Sequence, residues 1–155
     1  MKIINVAVIL PAYNEELTIS DTIVDFNKAL PDAEIWVINN ASKDNTEQVA
    51  REVFKTTGCK GGVLNEDRPG KGNAVRCGFG QIEANIYVLA DADMTYPAEQ
   101  VHQLIEPVVD GIADMVVGDR HSAGHYAAEN KRPLHGVGNR LVRALVNRLF
   151  KEDLR

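Results

Sequence analysis

From Val6 to about Gly118, short runs rich in valine and isoleucine alternate with longer stretches in which apolar residues recur at helical spacing. That rhythm belongs to βαβ units, whose strands lie parallel and whose helices cover the sheet. Strands are expected at Val6–Leu10, Glu34–Ile38, Gly62–Leu64, Ile86–Ala90 and Asp114–Gly118. Most are continuous apolar runs, as strands buried on both faces require. The expected fold class is α/β: a mostly parallel sheet with helices on both faces, in one domain spanning residues 1–155.

Ile19, Ile23, Phe26 and Leu30 form a helical stripe that Pro31 stops. Asp44 with Glu47 three residues on has the form of a capping box, opening a second helix with Val49, Val53 and Phe54 on its inner face. A third helix is expected from about Gly72 to Ala84. A fourth starts near Pro97, where proline suits the first turn, and carries Val101, Leu104, Ile105 and Val108. After Arg120 a polar loop, residues 122–132, leads to Leu134, Val137, Leu141, Leu145 and Leu149 near helical spacing, with Arg140, Arg143, Asn147 and Arg148 on the other faces. Two readings of that stretch stand: a surface helix packing its apolar side on the domain, or a basic amphipathic helix at a membrane interface.

The formal charge of −5 is unevenly placed. Residues 1–120 carry 10 Lys and Arg against 19 Asp and Glu, whereas residues 121–155 carry 7 against 3. An acidic body with pI near 5.3 argues against general nucleic-acid binding, while the basic end can meet phosphates or an anionic membrane. Cys59 and Cys77 lack CxxC spacing, which suggests reduced thiols in a cytosolic setting. The apolar run Ile3–Leu10 is broken by Asn5 and followed by Pro11 and Glu15-Glu16, unlike a signal peptide. No stretch approaches the ~20 apolar residues that span a bilayer.

In open parallel α/β sheets, ligands bind beyond the carboxyl ends of the strands, near the point where strand order switches. The segments following the five expected strands are Pro11-Ala12-Tyr13-Asn14-Glu15, Asn39-Asn40-Ala41-Ser42, Asn65 through Lys71, Asp91-Ala92-Asp93 and Asp119-Arg120. All are polar, and together they put carboxylates, amides, a lysine and an arginine on one rim. Asp91 and Asp93 can hold a hard divalent cation that bridges substrate phosphates. A calcium EF-hand is excluded, because that loop lacks a third ligand and has Tyr96 where the turn glycine belongs. P-loop, GxGxxG, HExxH and GxSxG patterns are all missing. His102, His121, His125 and His135 have no zinc-like spacing; His121 and His125 are the two that a ligand could touch.

Pro11-Ala12-Tyr13-Asn14-Glu15-Glu16, Asn39-Asn40-Ala41-Ser42-Lys43-Asp44-Asn45-Thr46, Gly70-Lys71-Gly72-Asn73-Ala74, Asp91-Ala92-Asp93-Met94-Thr95-Tyr96-Pro97, Gly118-Asp119-Arg120 and Gly138-Asn139-Arg140 follow one another in order. This series resembles the motifs of family 2 glycosyltransferases with a GT-A fold, a Rossmann-like sheet, and covers nearly the whole chain. The Asp-Ala-Asp-x-x-Tyr-Pro form and the later arginines are most similar to the branch that glycosylates polyprenyl or dolichyl phosphate, dolichyl-phosphate mannose synthases among them. The resemblance implies that Pro11, Ala12, Tyr13, Glu15 and Asn40 line the base and ribose of a nucleotide sugar, with Lys71 nearby. It further implies that Asp91 and Asp93, beside Ala92, hold Mg²⁺ or Mn²⁺ against the diphosphate, and that Arg120 and Arg140 contact phosphates of donor or acceptor. Residues 1–120 would form the nucleotide-sugar-binding portion and residues 121–155 the acceptor side.

A sugar hydroxyl needs a positioned base, whereas a lipid phosphate is already anionic and needs mainly positioning. No unassigned carboxylate in these motifs serves plainly as base, which favours a polyprenyl phosphate acceptor and an inverting transfer at the cytoplasmic face of a membrane. Two departures from the family's pattern stand out. Asn39 and Asn40 replace frequent acidic residues, so that both uracil and guanine remain open as the base. Family domains are also longer, so the sequence is expected to be a C-terminally truncated form. The alternatives are the same fold acting on a saccharide hydroxyl, with a base beyond Arg155, and a sugar-nucleotide-binding module without turnover. A sugar nucleotidyltransferase would need a glycine-rich, arginine-containing loop after the first strand, which Pro11–Glu15 does not supply.

Overall fold

The computed structural model describes residues 4–118. Contacts divide the chain into Met1–Val116 and Val117–Arg155, and every element below lies in the first unit. The expected helix from Leu134 to Leu149, together with Arg120, Arg140, His121, His125 and His135, lies outside the described residues.

The order is β1 (Val6–Ala12), α1 (Ile19–Ala29), β2 (Glu34–Asn39), α2 (Thr46–Thr57), β3 (Gly61–Asn65), α3 (Lys71–Gln81), β4 (Ile86–Leu89), then a 3₁₀ turn (Ala98–Gln100) running into α4 (Val101–Val109). The described strands form one sheet in the order β3-β2-β1-β4, every pair parallel. After β3 the chain crosses back to the far side of β1, so strand order switches between β1 and β4.

Alternation along each strand sorts the core into two layers. Val8, Leu10 and Ala12 of β1 and Ile35 and Val37 of β2 face the larger cluster, which takes Ile19, Ile23 and Phe26 from α1, Ala50 and Val53 from α2, and Val101 and Ile105 from α4. Ala7, Ile9 and Ile38 face the other way, onto Ala74, Cys77 and Ile82. There α3 approaches closely through Gly78, where an added Cβ would lie 3.1 Å from two carbons of the Ile9 side chain.

Pro11 sits inside the central strand, a position a donor-less residue tolerates only where no ladder bond is needed. Ile9 O accepts from Ala90 N on the β4 side, whereas Ala12 O accepts from Asn40 N on the β2 side. Pro11, two residues after Ile9, therefore turns its ring nitrogen toward β4, one step past the last β1–β4 pair, Ile9 with Leu89. The two strands part there.

Three expectations need correction. Residues 115–118 form no strand, and Met115 is 78% exposed. An apolar run becomes a strand only where a neighbour supplies ladder bonds, and β3 and β4 each keep an unpaired edge among the described residues. The Asp44–Glu47 capping box is also not made. Asp44 Oδ1 accepts from the backbone N–H of Thr46 at 3.0 Å, while Glu47 turns sideways to Asn65 and Arg51. The third helix stops at Gln81 rather than Ala84 because Ile82 is already extended.

Candidate active-site cleft at the switch point

Beyond the parting of β1 and β4 lies a cleft of about 210 Å³. The end of β1 contributes Pro11, Ala12, Tyr13 and Glu15, and the end of β2 contributes Asn40. Lys71 enters from the start of α3, and Asp91, Ala92 and Asp93 from the end of β4. The structure thus brings together all nine described residues that the sequence singled out for nucleotide, sugar or metal.

Three strand ends turn sharply into this rim. Asn14, Ala41 and Met94, with φ of 56°, 57° and 60°, are the non-glycine residues with left-handed backbone among those described. Each such residue costs roughly 1–2 kcal/mol, so neighbouring bonds must hold the turns in place. For the first two, the bonds form a clasp between the β1 and β2 turns. Asn14 N donates to Ser42 Oγ at 3.1 Å, and Lys43 N donates to Asn14 Oδ1 at 2.8 Å. Glu15 N donates to Thr46 Oγ1 at 2.8 Å, Glu16 N to Asp44 Oδ2 at 3.2 Å, and Asn45 N to Glu16 Oε2 at 2.9 Å. Thr46 is completely buried and its hydroxyl donates in turn to Asp44. Burial pushes the Asp44 carboxyl up, but the bonds from the Thr46 hydroxyl and from the Thr46 and Glu16 N–H groups outweigh it and leave the group below its usual range.

Asn40 lines the cleft, yet its amide is committed to building it. Nδ2 donates to the carbonyls of Glu66 at 3.0 Å and Arg68 at 2.7 Å, and Oδ1 accepts from Gly70 N at 2.7 Å. Gly70 has φ of 118°, a backbone only glycine adopts freely, and the next residue is Lys71. In the same loop Arg68 grips the Glu66 carboxylate through Nε and Nη2, both at 2.8 Å. The Arg68 side chain and its backbone N–H hold the Glu66 carboxyl down to about 2. At the end of β2, Asn39 donates to Asn65 Oδ1 at 2.9 Å, and its own Oδ1 is buried with no hydrogen-bond partner.

The acidic corner is anchored from α1, where the buried Thr22 hydroxyl donates to Ala92 O at 3.1 Å. Asp93 Oδ1 accepts from Thr95 N at 3.0 Å and Thr95 Oγ1 at 2.6 Å, which leaves Oδ2 out of the turn. The Lys71 ammonium is bonded to Oδ1 of Asp91. Among the described residues no three His, Cys, Asp or Glu side chains form a metal cage. Two carboxylates completed by water and phosphate oxygens are, however, how Mg²⁺ is ordinarily held, and Mn²⁺ shares that oxygen preference. The donor set fits such a cation.

A model of glycosyl transferase family 2 matches residues 7–153. The chain belongs to that family. This glycosyltransferase is 40% identical to Protein RfbJ of Shigella flexneri over 120 residues, 77% of this chain and 88% of the relative. It is 31% identical to the dolichol-phosphate mannosyltransferase of Pyrococcus furiosus over 121 residues, 77% of this chain but only 34% of that one. Among solved structures it resembles the glucosyl-3-phosphoglycerate synthase of Mycobacterium tuberculosis in complex with Mn²⁺, UDP-glucose and phosphoglyceric acid. The TM-score is 0.58 at 28% identity, covering 70% of this chain and 40% of that chain. The chain therefore spans well under half the length of the last two, and its parallel sheet is that of a GT-A fold.

What sequence reasoning missed in this family 2 site is the scaffolding: Asn14, Asp44, Thr46 and Thr22, and the structural use of Asn40. Their partners across the cleft lie 26 to 70 residues away, and no short-range pattern announces such bonds.

Proposed function

We propose that this chain holds the donor-binding part of an inverting glycosyltransferase that moves a sugar from a UDP- or GDP-sugar to a polyprenyl phosphate at the cytoplasmic face of a membrane. The observation that carries the reading is the convergence of Tyr13, Lys71, Asp91 and Asp93 on one cleft at the strand-order switch. Tyr13, half exposed at the mouth, offers a face for the nucleobase. Asp91 and Asp93 would hold Mg²⁺ or Mn²⁺, which supplies a positive charge against the departing diphosphate when bound. Lys71 adds a second positive charge on the same side of the cleft, and the fixed Asn40 loop positions it.

In this reading residues 1–120 and 121–155 make one catalytic domain, the second portion lying on the acceptor side. Arg120 and Arg140, outside the described residues, take the phosphate-clamping role that the family resemblance implies for them. The polyprenyl phosphate acceptor is supported by the similarity to a dolichol-phosphate mannosyltransferase. No helix among the described residues is long and apolar enough to cross a membrane.

The test is a melting-temperature scan with UDP, GDP and their sugar conjugates, in Mn²⁺ and in EDTA, followed by transfer to a short polyprenyl phosphate. A nucleotide at 100 times its dissociation constant stabilises the fold by about 2.7 kcal/mol, and that rise should depend on the metal. Metal-dependent binding with lipid-linked product is the expected result. Transfer to a saccharide hydroxyl instead would replace the acceptor assignment, and binding without any product would reduce the chain to a sugar-nucleotide-binding module.

A further inference from the structure

The side-chain ion pair of Lys71 and Asp91 sits on the carboxylate that the proposed function gives to the divalent cation. A metal approaching Asp91 therefore meets an oxygen that already carries a counter-ion. Lys71 is also the one lysine or arginine among the described residues that line the cleft.

The pair is open to solvent. Its side chains are 58% and 30% exposed, and ion pairs open to water hold weakly. A lysine ammonium swings on a flexible four-carbon stem and accepts any anion within reach. A diphosphate entering the cleft offers it one. Asp93 is meanwhile half engaged by Thr95, and among the described residues no third His, Cys, Asp or Glu completes a metal-holding group with the two aspartates, so the cation depends on phosphate oxygens to fill its shell.

We propose that Lys71 acts as the resident counter-ion of Asp91 and changes partners to the diphosphate when a nucleotide binds, so that this side chain adds to the mutual strengthening that shared phosphate oxygens already give nucleotide and metal. The inference rests on the reading of Asp91 and Asp93 as the cation's ligands. It assigns Lys71 a second role besides contact with the donor, namely keeping the metal site shut when the cleft holds no nucleotide.

The test measures Mn²⁺ binding by the loss of the free-ion electron paramagnetic resonance signal, for the unaltered chain and for Lys71→Met. Each is titrated alone, with UDP and with GDP, against matched samples of nucleotide without protein. The unaltered chain should bind Mn²⁺ about tenfold more tightly with the nucleotide it accepts, within the usual range of coupling between sites. In Lys71→Met, Mn²⁺ binding should tighten in the absence of nucleotide, and the gain on adding nucleotide should fall several-fold below that of the unaltered chain. Loss of a positive charge alone would tighten Mn²⁺ equally in both conditions and leave the ratio intact, and that outcome overturns the partner exchange while the cation site survives. If the unaltered chain takes up no Mn²⁺ under any condition, the cation reading itself falls and this proposal with it. Lys71 is exposed at the first turn of α3, and a melting curve of the variant verifies that it folds.

Discussion

Asn40 Oδ1 and the backbone N–H of Gly70 meet at 2.7 Å, and this bond across 30 residues sets the loop that delivers Lys71 to the cleft. Replacing Asn40 by Ala strands that N–H and the carbonyls of Glu66 and Arg68. The expected cost is about 3 kcal/mol of stability, with nucleotide affinity falling as well. Asn40→Asp keeps the acceptor for Gly70 but sets a carboxylate against two carbonyl oxygens, so it should not rescue the fold. Urea midpoints together with nucleotide titrations check both variants.

Thr46 ties the two front turns together. Thr46→Val preserves shape and removes the hydroxyl, leaving Glu15 N–H without its acceptor and Asp44 with only the backbone N–H groups of Thr46 and Glu16 as donors. A loss of roughly 1–3 kcal/mol is expected. Because Glu15 lines the cleft, nucleotide binding should weaken along with stability. Thermal unfolding and calorimetric titration read the two effects separately.

Tyr13 should behave in the opposite way. Its ring is half exposed, so Tyr13→Ala should leave the melting temperature nearly unchanged. Loss of a stacked base costs roughly 1–3 kcal/mol of binding in nucleic-acid sites, and a similar drop in nucleotide affinity is the expected result here. Tyr13→Phe should restore most of it.

Asp93→Ala should abolish the metal dependence of nucleotide binding. The measurement is the difference between melting temperatures with nucleotide in Mn²⁺ and in EDTA. If that difference persisted at its original size, Asp93 would not be a ligand of the cation.

Acid should loosen the loop between β3 and α3. In the folded chain the Glu66 carboxyl lies at about 2, below its ordinary 4.5, held there by Arg68. Between those values the unfolded chain binds more protons than the folded one, so stability falls with falling pH. The contribution is complete above about pH 4.5 and is lost as pH drops through about 2. Glu66→Gln should flatten that part of a plot of urea midpoint against pH.

The strand ends were legible because two local patterns coincide there: an apolar run stops and a polar cluster begins. Val6 through Leu10 followed by Pro11 to Glu15 is one instance, and Ile86 through Ala90 followed by Asp91 to Asp93 is another. Those two clusters supplied every residue of the cleft except Asn40 and Lys71, which come from the polar segments after β2 and β3. Asp114–Gly118 shows the limit of the same reasoning, since Met115, Val116 and Val117 have the composition of a strand but a strand exists only in a ladder. Asp44 shows a second limit. Its spacing from Glu47 suits a capping box, yet Glu16, 28 residues earlier in the chain, claims its other oxygen. Such choices are made by which turns face each other in space, and one-dimensional spacing does not record that.

The pyrrolidine ring of Pro11 makes the opening between β1 and β4 a matter of covalent structure. No loop has to swing aside and no side chain has to rotate for that gap to exist, so an arriving nucleotide spends none of its binding energy prying the sheet apart. Substitutions around the rim can alter which base or sugar is held while the slot itself stays where the proline put it.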